Sequence, residues 1–361
     1  MSAHHPPGQA VPSSITAASP APGPGTVTAV CRSFAEDFPG GLGALHDALS
    51  RRGLTTATHG RVDGRFPDGE LCVDLPGDPT GAHVIIHQSL TGPAEQVDQS
   101  AMALLAVARA YREHGARRVT AVVPHLAYAR HDRHVPGERR PIMAGLLAQL
   151  AATAGIDQLI TLASGAQDRL GRLGEPMDLV QLPPDAALMS LVHPWVVPGR
   201  TVLVAPDAGA ADQVRRLGDR LRLPVITATK RRTGPDSVTA TLTSSAPGPA
   251  DRAIIVDDLI TSAGTMLAVA RLARTEFDGC QVLCAATHLR PTPTGEQRLA
   301  AALRDGTLHR VLTTDAAGHR PRIPGVDITA VLPLIADAVA EQVLPAHSPL
   351  AERPTAHAGS H

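Results

Sequence analysis

The segment Arg252 to Met266, RAIIVDDLITSAGTM, ends an apolar run in two consecutive acids, Asp257 and Asp258. A short loop, Leu259 to Gly264, then opens a helix. Backbone N–H groups at a helix start favour an anion, and Ser262 and Thr265 add hydroxyl donors. Gly264 lets a phosphate approach the backbone closely. The two carboxylates can accept hydrogen bonds from vicinal ribose hydroxyls or hold a divalent cation. Together these groups make a sugar-phosphate cradle; the plainer alternative is an N-capped helix after an acidic turn.

Three more places carry groups of the same kind. In VVPHLAYARHDR, Arg130 and Arg133 flank His131 and Asp132 after a buried-looking strand. Two guanidiniums can clamp a polyphosphate bidentately, the alternative being a solvated charge run. Lys230 is the single lysine among 33 basic residues, and it stands with Arg232 before a glycine-proline turn. An exposed basic hairpin is the alternative there. Asp207 ends another apolar run, VLVAPDAGA, where it can serve a ligand or cap the following helix.

The elements that must position these residues alternate along the chain. Strands are predicted at 26–31, 84–88, 118–124, 158–163, 201–206, 225–229, 237–243, 253–256, 281–286, 310–314 and 326–331. Helices are predicted at 93–114, 141–154, 210–221, 263–277 and 295–304. Near-continuous apolar runs such as VTAVVP and RAIIV suit parallel strands covered on both faces. Strand–helix–strand repetition implies doubly wound α/β sheets, which bind ligands beyond the carboxyl ends of their strands. All four chemical segments stand at such ends. The expected organisation is a disordered arm over 1–25, domains over 26–154 and 155–343, and a disordered tail over 344–361.

Composition removes other classes. Lys+Arg 33 against Asp+Glu 34 leaves a net charge of -1, and 2% aromatic residues supply few stacking surfaces, so no nucleic acid partner is expected. No apolar run is long enough for a membrane span, and the start has no apolar signal core, so a cytoplasmic protein is expected. Cys31, Cys72, Cys280 and Cys284 are scattered and read as reduced thiols. The cores must be built from Ala, Val, Leu and Ile.

The segment VDDLITSAGT resembles the ribose-phosphate loop of type I phosphoribosyltransferases, usually VDD…TGGT. From about residue 26 to 343 the chain resembles one branch of that fold, the ribose-phosphate pyrophosphokinases. FPDGE at Phe66–Glu70 is similar to the family's FxxGE turn, and VVPHLAYARHDR to its PYxxYARQDR block, followed by RRPI at Arg139–Ile142. APDAG is similar to its PDxGG turn and TKRR to its catalytic loop. The resemblance implies two similar phosphoribosyltransferase-like domains, each a mainly parallel sheet flanked by helices. It implies an ATP site with Phe66, Asp68, Glu70, Arg130, His131, Asp132 and Arg133, and catalytic cations at Lys230 and Arg232. A ribose-phosphate loop over Asp257, Asp258, Thr261, Ser262, Ala263, Gly264 and Thr265 is implied as well, with Asp207 contacting Mg²⁺ or ribose. Members assemble as homo-oligomers, dimers or hexamers.

The match departs at three points. Leu162 and Ser164 stand where the family carries an acid and a metal-binding histidine; Thr261 replaces an aspartate, and Ala263 replaces a glycine, adding one methyl to the cradle. Ser164 is a weaker ligand than imidazole, and His125, His131 and His134 are other groups able to complete a metal site. The expected activity is transfer of the pyrophosphoryl group of ATP to the 1-hydroxyl of ribose 5-phosphate or a close analogue, with Mg²⁺. The alternatives are a non-catalytic homologue that binds nucleotide and partners an active synthetase, and a phosphoribosyltransferase that consumes the activated sugar.

Overall fold

The structure is a computed structural model and describes residues 25–91, 96–134, 137–164, 177–232, 238–242, 248–318 and 321–344, with the side chains of 230–232 and 238–240 outside the description. The expected arm before residue 25 and tail after 344 lie outside the described residues.

Two sheets carry the chain. The first joins β1 (Thr26–Val30), β2 (Thr56–Arg61), β5 (His83–His87), β6 (Arg118–Val122), β7 (Gln158–Leu162) and β8 (Asp178–Leu182) in the order β2-β1-β5-β6-β7-β8, all parallel. A separate antiparallel hairpin, β3 (Asp63–Arg65) with β4 (Leu71–Val73), projects from it. The second sheet has β9 (Thr201–Ala205), β10 (Val225–Arg232), β11 (Val238–Leu242), β12 (Arg252–Ile260), β13 (Gln281–Leu289), β14 (Arg310–Thr314) and β15 (Val326–Thr329). Its order is β11-β10-β9-β12-β13-β14-β15, parallel except for the β10–β11 edge hairpin.

Helices cover both faces of both sheets. On the first sheet, α3 (Val97–Glu113) and α4 (Met143–Ala154) enclose one apolar cluster with Val84, Ile86, Val119 and Leu159. Its other face takes α1 (Arg32–Asp37), α2 (Gly41–Arg51) and, from the far end of the chain, α9 (Leu332–Val343). On the second sheet, α5 (Asp185–Val192) and α6 (Ala211–Leu221) cover one face, and α7 (Gly264–Glu276) and α8 (Pro293–Arg304) the other. Strands enclosed in this way need side chains that are apolar on both faces, which explains their unbroken apolar runs. No helix among the described residues is long and apolar enough to cross a membrane. All four cysteines are free thiols.

The sheets divide after Leu182, later than the expected division after Ala154. β7 and β8 continue the first sheet, Gln158 pairing with Thr120 and with Asp178, because their apolar side chains complete the layers begun by β5 and β6. Residues 332–343, expected with the second half, form the unpredicted helix α9 and pack on α2 of the first. Arg51 meets Asp337 at 3.2 Å and Arg52 meets Glu341 at 3.0 Å, with Leu332 set against Gly41.

Candidate active site

In the second sheet the strand order reverses between β9 and β12, and a doubly wound sheet opens its ligand crevice at such a reversal. Asp207 leaves the end of β9 while Asp257 and Asp258 lie near the end of β12, so the pairing of those two strands brings three carboxylates from distant sequence together. Burial, then the negative charges of Asp258 and Asp207, push the Asp257 carboxyl well above the usual carboxylate range. Asp207 also does the local work expected of it. Its Oδ1 accepts from Gly209 N at 2.9 Å and from Ala210 N at 3.2 Å, just before α6.

Beyond the acids, Ala263 opens α7 at φ 60°, with no side-chain cap. The first N–H groups of the helix are thus left for a ligand. The left-handed backbone turns the Ala263 methyl into the apolar cluster beneath, where it is buried with Met266 and Leu267. The expectation that this methyl narrows the phosphate cradle is therefore corrected. A Cβ built at Gly264 would rest in ordinary contact with Ser262 Oγ at 3.8 Å and Arg298 at 3.9 Å, so packing does not demand that glycine. Packing does demand another one: a Cβ at Gly295, in the first turn of α8, would collide with the carbonyl of Thr261. The backbone N–H groups of Arg290 and Thr292 donate to Ile260 O and Thr261 O at 2.9 and 3.3 Å, clamping the loop from the side.

A cleft of about 810 Å³ separates the two halves. Its first-half wall includes Asp37, His125, Tyr128, Arg130, His131 and Ser164; its second-half wall includes Leu259, Thr261, Arg290, Thr292 and Glu296. Tyr128 adopts φ 62°, its hydroxyl donates to Asp98 of α3, and its carbonyl accepts from His131 N at 2.8 Å. Burial and the Asp98 carboxylate push the Tyr128 hydroxyl up to about 12. This pinned turn presents Arg130 and His131 as exposed side chains at the cleft.

The remaining expected residues fall in three groups. Asp132 and Arg133 leave the lining, the two side chains standing 4.0 Å apart. Phe66, Asp68 and Glu70 are exposed at the tip of the β3–β4 hairpin, where Asp68 Oδ1 accepts from Glu70 N at 3.1 Å, and none of them lines the cleft of its own chain. Lys230 and Arg232 stand on β10, paired with Ala240 and Val238 across the edge hairpin; their side chains lie outside the described residues. Of the alternative histidines, His125 is buried at the cleft, His131 is exposed within it, and His134 is exposed outside its lining.

Asp37, Tyr128 and Arg290 also line the cleft without standing among the expected residues, and His288 lies against His125. Arg290 had a legible signal, since it follows the apolar strand β13 just as Asp257 ends one. Asp37 had none, because it reaches the cleft only through packing of α1 on the first sheet.

Residues 50–155 match the N-terminal domain of ribose phosphate pyrophosphokinase, and residues 198–301 match the phosphoribosyl transferase domain. The ribose-phosphate pyrophosphokinase of Clostridium acetobutylicum is 30% identical over 277 residues, covering 76% of this chain and 84% of the relative. That of Bradyrhizobium diazoefficiens is 31% identical over 302 residues, covering 82% and 90%. The chain belongs to the ribose-phosphate pyrophosphokinase family. The fold agrees: the crystal structure of phosphoribosylpyrophosphate synthetase from Mycobacterium smegmatis superposes with a TM-score of 0.72 at 24% identity, covering 87% of this chain and 97% of that one. Asp207, Asp257 and Asp258, at the β9–β12 reversal, stand outside the cleft lining, which Leu259 and Thr261 reach from the same loop.

Proposed function

We propose that this chain transfers the β,γ-pyrophosphoryl group of ATP to the 1-hydroxyl of ribose 5-phosphate or a close analogue, yielding AMP and phosphoribosyl pyrophosphate. The observation that carries this reading is a cleft whose one wall presents Arg130 and His131 while the other presents Leu259 and Thr261 of the ribose-phosphate loop. Asp257 and Asp258 hold the ribose hydroxyls. Ser262, Thr265 and the backbone at Gly264 hold the 5-phosphate at the start of α7. Arg130 and His131 hold the triphosphate. The bond from the sugar oxygen to the β-phosphorus forms as the bond from that phosphorus to the α-phosphate oxygen breaks, and AMP leaves. Lys230 and Arg232, carried on the β10–β11 hairpin, neutralise the charge that develops on the transferred group.

Mg²⁺ fits the second wall better than the first. Among the described residues no three of His, Cys, Asp and Glu form a ready-made cage. Mutual repulsion among Asp207, Asp257 and Asp258 is a condition that a hard cation relieves, and carboxylate oxygen is its preferred donor. Those acids would hold the ion together with substrate oxygens, and it would supply charge neutralisation along the phosphates. The two units of the enzyme follow the sheets, residues 26–182 with α9 and residues 201–329. A homo-oligomer in the cytoplasm belongs to the same reading. Phe66, Asp68 and Glu70 are exposed and do not line their own cleft, and a neighbouring copy is where they would meet a nucleotide.

One observation favours a second reading, a nucleotide-binding homologue without turnover. Leu162, at the family's acidic position, is buried among Val122, Ile160 and Leu182, and Ser164 offers the cleft one neutral oxygen. AMP formation by purified protein with ATP, Mg²⁺ and ribose 5-phosphate separates the two. Turnover abolished by Lys230→Ala supports the enzyme. ATP binding with AMP at the level of that variant supports the silent homologue.

A further inference from the structure

Arg290 emerges from the carboxyl end of β13 onto the cleft wall, half-buried, with its backbone fixed to the ribose-phosphate loop through Ile260 O at 2.9 Å. Among the described residues its guanidinium makes no hydrogen bond and no ion pair within 4.0 Å. The groups that act on it are Asp37 and Tyr128, both on the opposite wall. Asp37 is already engaged on its own side, accepting from Ser89 Oγ and from Thr91 Oγ1 at 2.6 Å, and Gly318 packs against it. The Tyr128 hydroxyl is committed to Asp98. Burial weakens the hold of Arg290 on its proton. A partly desolvated cation without a hydrogen-bonded counter-charge is costly, and in an open cleft the missing anion is one that arrives from solution.

We propose that Arg290 is a phosphate-binding residue of this cleft, its planar fork pairing with two oxygens of one phosphate group. The identity of that phosphate rests on the function proposed above and has two sources, the triphosphate of ATP and the 5-phosphate of the sugar. Arg290 stands between them, facing the turn of Arg130 and His131 while joined to the loop that carries Thr261 and Ser262. A guanidinium suits this place better than an ammonium would, because a fork fixes the orientation of a tetrahedral group as well as its charge.

Calorimetric binding of Mg·ATP and, separately, of ribose 5-phosphate tests the proposal on the full chain and its Arg290→Gln, Arg290→Lys and Asp37→Asn variants, with thermal melts as the folding control. Arg290→Gln is expected to weaken one ligand by about 10- to 100-fold. The ligand affected names the source of the phosphate, and Arg290→Lys recovers part of the loss. Asp37→Asn binds as the wild type or more tightly, because a competing carboxylate is gone. The proposal is overturned if Arg290→Gln binds both ligands normally, or if the wild type binds neither. It is overturned equally if Asp37→Asn and Arg290→Gln lose affinity and melting temperature together, the pattern of an ion pair between the halves. Loss of binding in Arg290→Gln without AMP formation by the wild type leaves this site standing and removes only the catalytic reading.

Discussion

The imidazoles of His125 and His288 meet with ring centroids 4.7 Å apart and planes at 57°, one from the loop after β6 and the other from β13. Both are buried; His125 Nδ1 has no hydrogen-bond partner among the described residues, and the backbone of Leu162 and Ala163 lies against the His288 ring. The two sheets therefore touch through a pair of neutral rings at the floor of the cleft. Burial lowers His288 to about 4 and His125 well below its ordinary 6.5; His87 and His83, in the first sheet, fall to about 3 and about 4 for the same reason.

These four histidines make the protein acid-labile within a defined window. The unfolded chain takes up protons below pH 6.5, whereas the folded rings resist, His83 and His288 until about pH 4 and His87 until about pH 3, so proton uptake favours unfolding. Their contribution is complete above pH 6.5 and is lost progressively as pH falls toward the folded values. Each histidine adds a slope of up to about 1.4 kcal/mol per pH unit. Urea unfolding at a series of pH values from 7.5 to 4.5 reads this directly, and a flat stability across that range refutes it.

Gly295→Ala should damage the loop while adding a better helix former. The gain in helix propensity is about 1 kcal/mol, but the methyl runs into backbone at Thr261 and not into a movable side chain. Overpacking of that kind costs about 1–3 kcal/mol. A lower melting temperature together with a raised KM for ribose 5-phosphate is expected. A variant with wild-type KM and stability would show that the contact yields freely.

Tyr128→Phe removes one hydrogen bond and keeps the ring. The turn bearing Arg130 and His131 then loses its tie to Asp98 while Tyr128's left-handed backbone strain remains. A loss of about 1 kcal/mol in positioning corresponds to roughly a fivefold rise in the KM for ATP, with kcat little changed. Steady-state kinetics with ATP varied checks the split; an unchanged KM for ATP counts against a positioning role.

Asp257→Asn should separate stability from activity. An amide keeps an oxygen for the Asp258 N–H, 3.0 Å away in the parent, and removes one charge from a repelling group of three. The variant is expected to melt at or above the parent temperature while turnover falls by about 100-fold or more, since binding residues of this kind contribute several kcal/mol. Paired melts and AMP assays decide it. A variant that is both less stable and fully active contradicts the prediction.

The amino-acid sequence by itself determined the alternation of strand and helix, the doubly wound class and the place of the acid-ended loop from Asp257 to Thr265. These are local: an apolar run of five to nine residues ending in acids is legible wherever it folds. Arg310–Thr314 forms the strand expected of it, and 201–206 and 158–163 come within one residue of β9 and β7. β2, with the sequence TATHGR, was invisible because half-polar edge strands lack a buried pattern; β8 is mostly half-buried, and the β3–β4 strands have three residues each. Tertiary structure alone decided that β7 and β8 extend the first sheet and that α9 returns to α2. It also brought Asp207 to Asp257, His125 to His288, and Arg290 to the wall opposite Asp37. These contacts join residues from 50 positions apart, Asp207 and Asp257, to 286 positions apart, Arg51 and Asp337, and their energy depends on distances that no window of sequence contains.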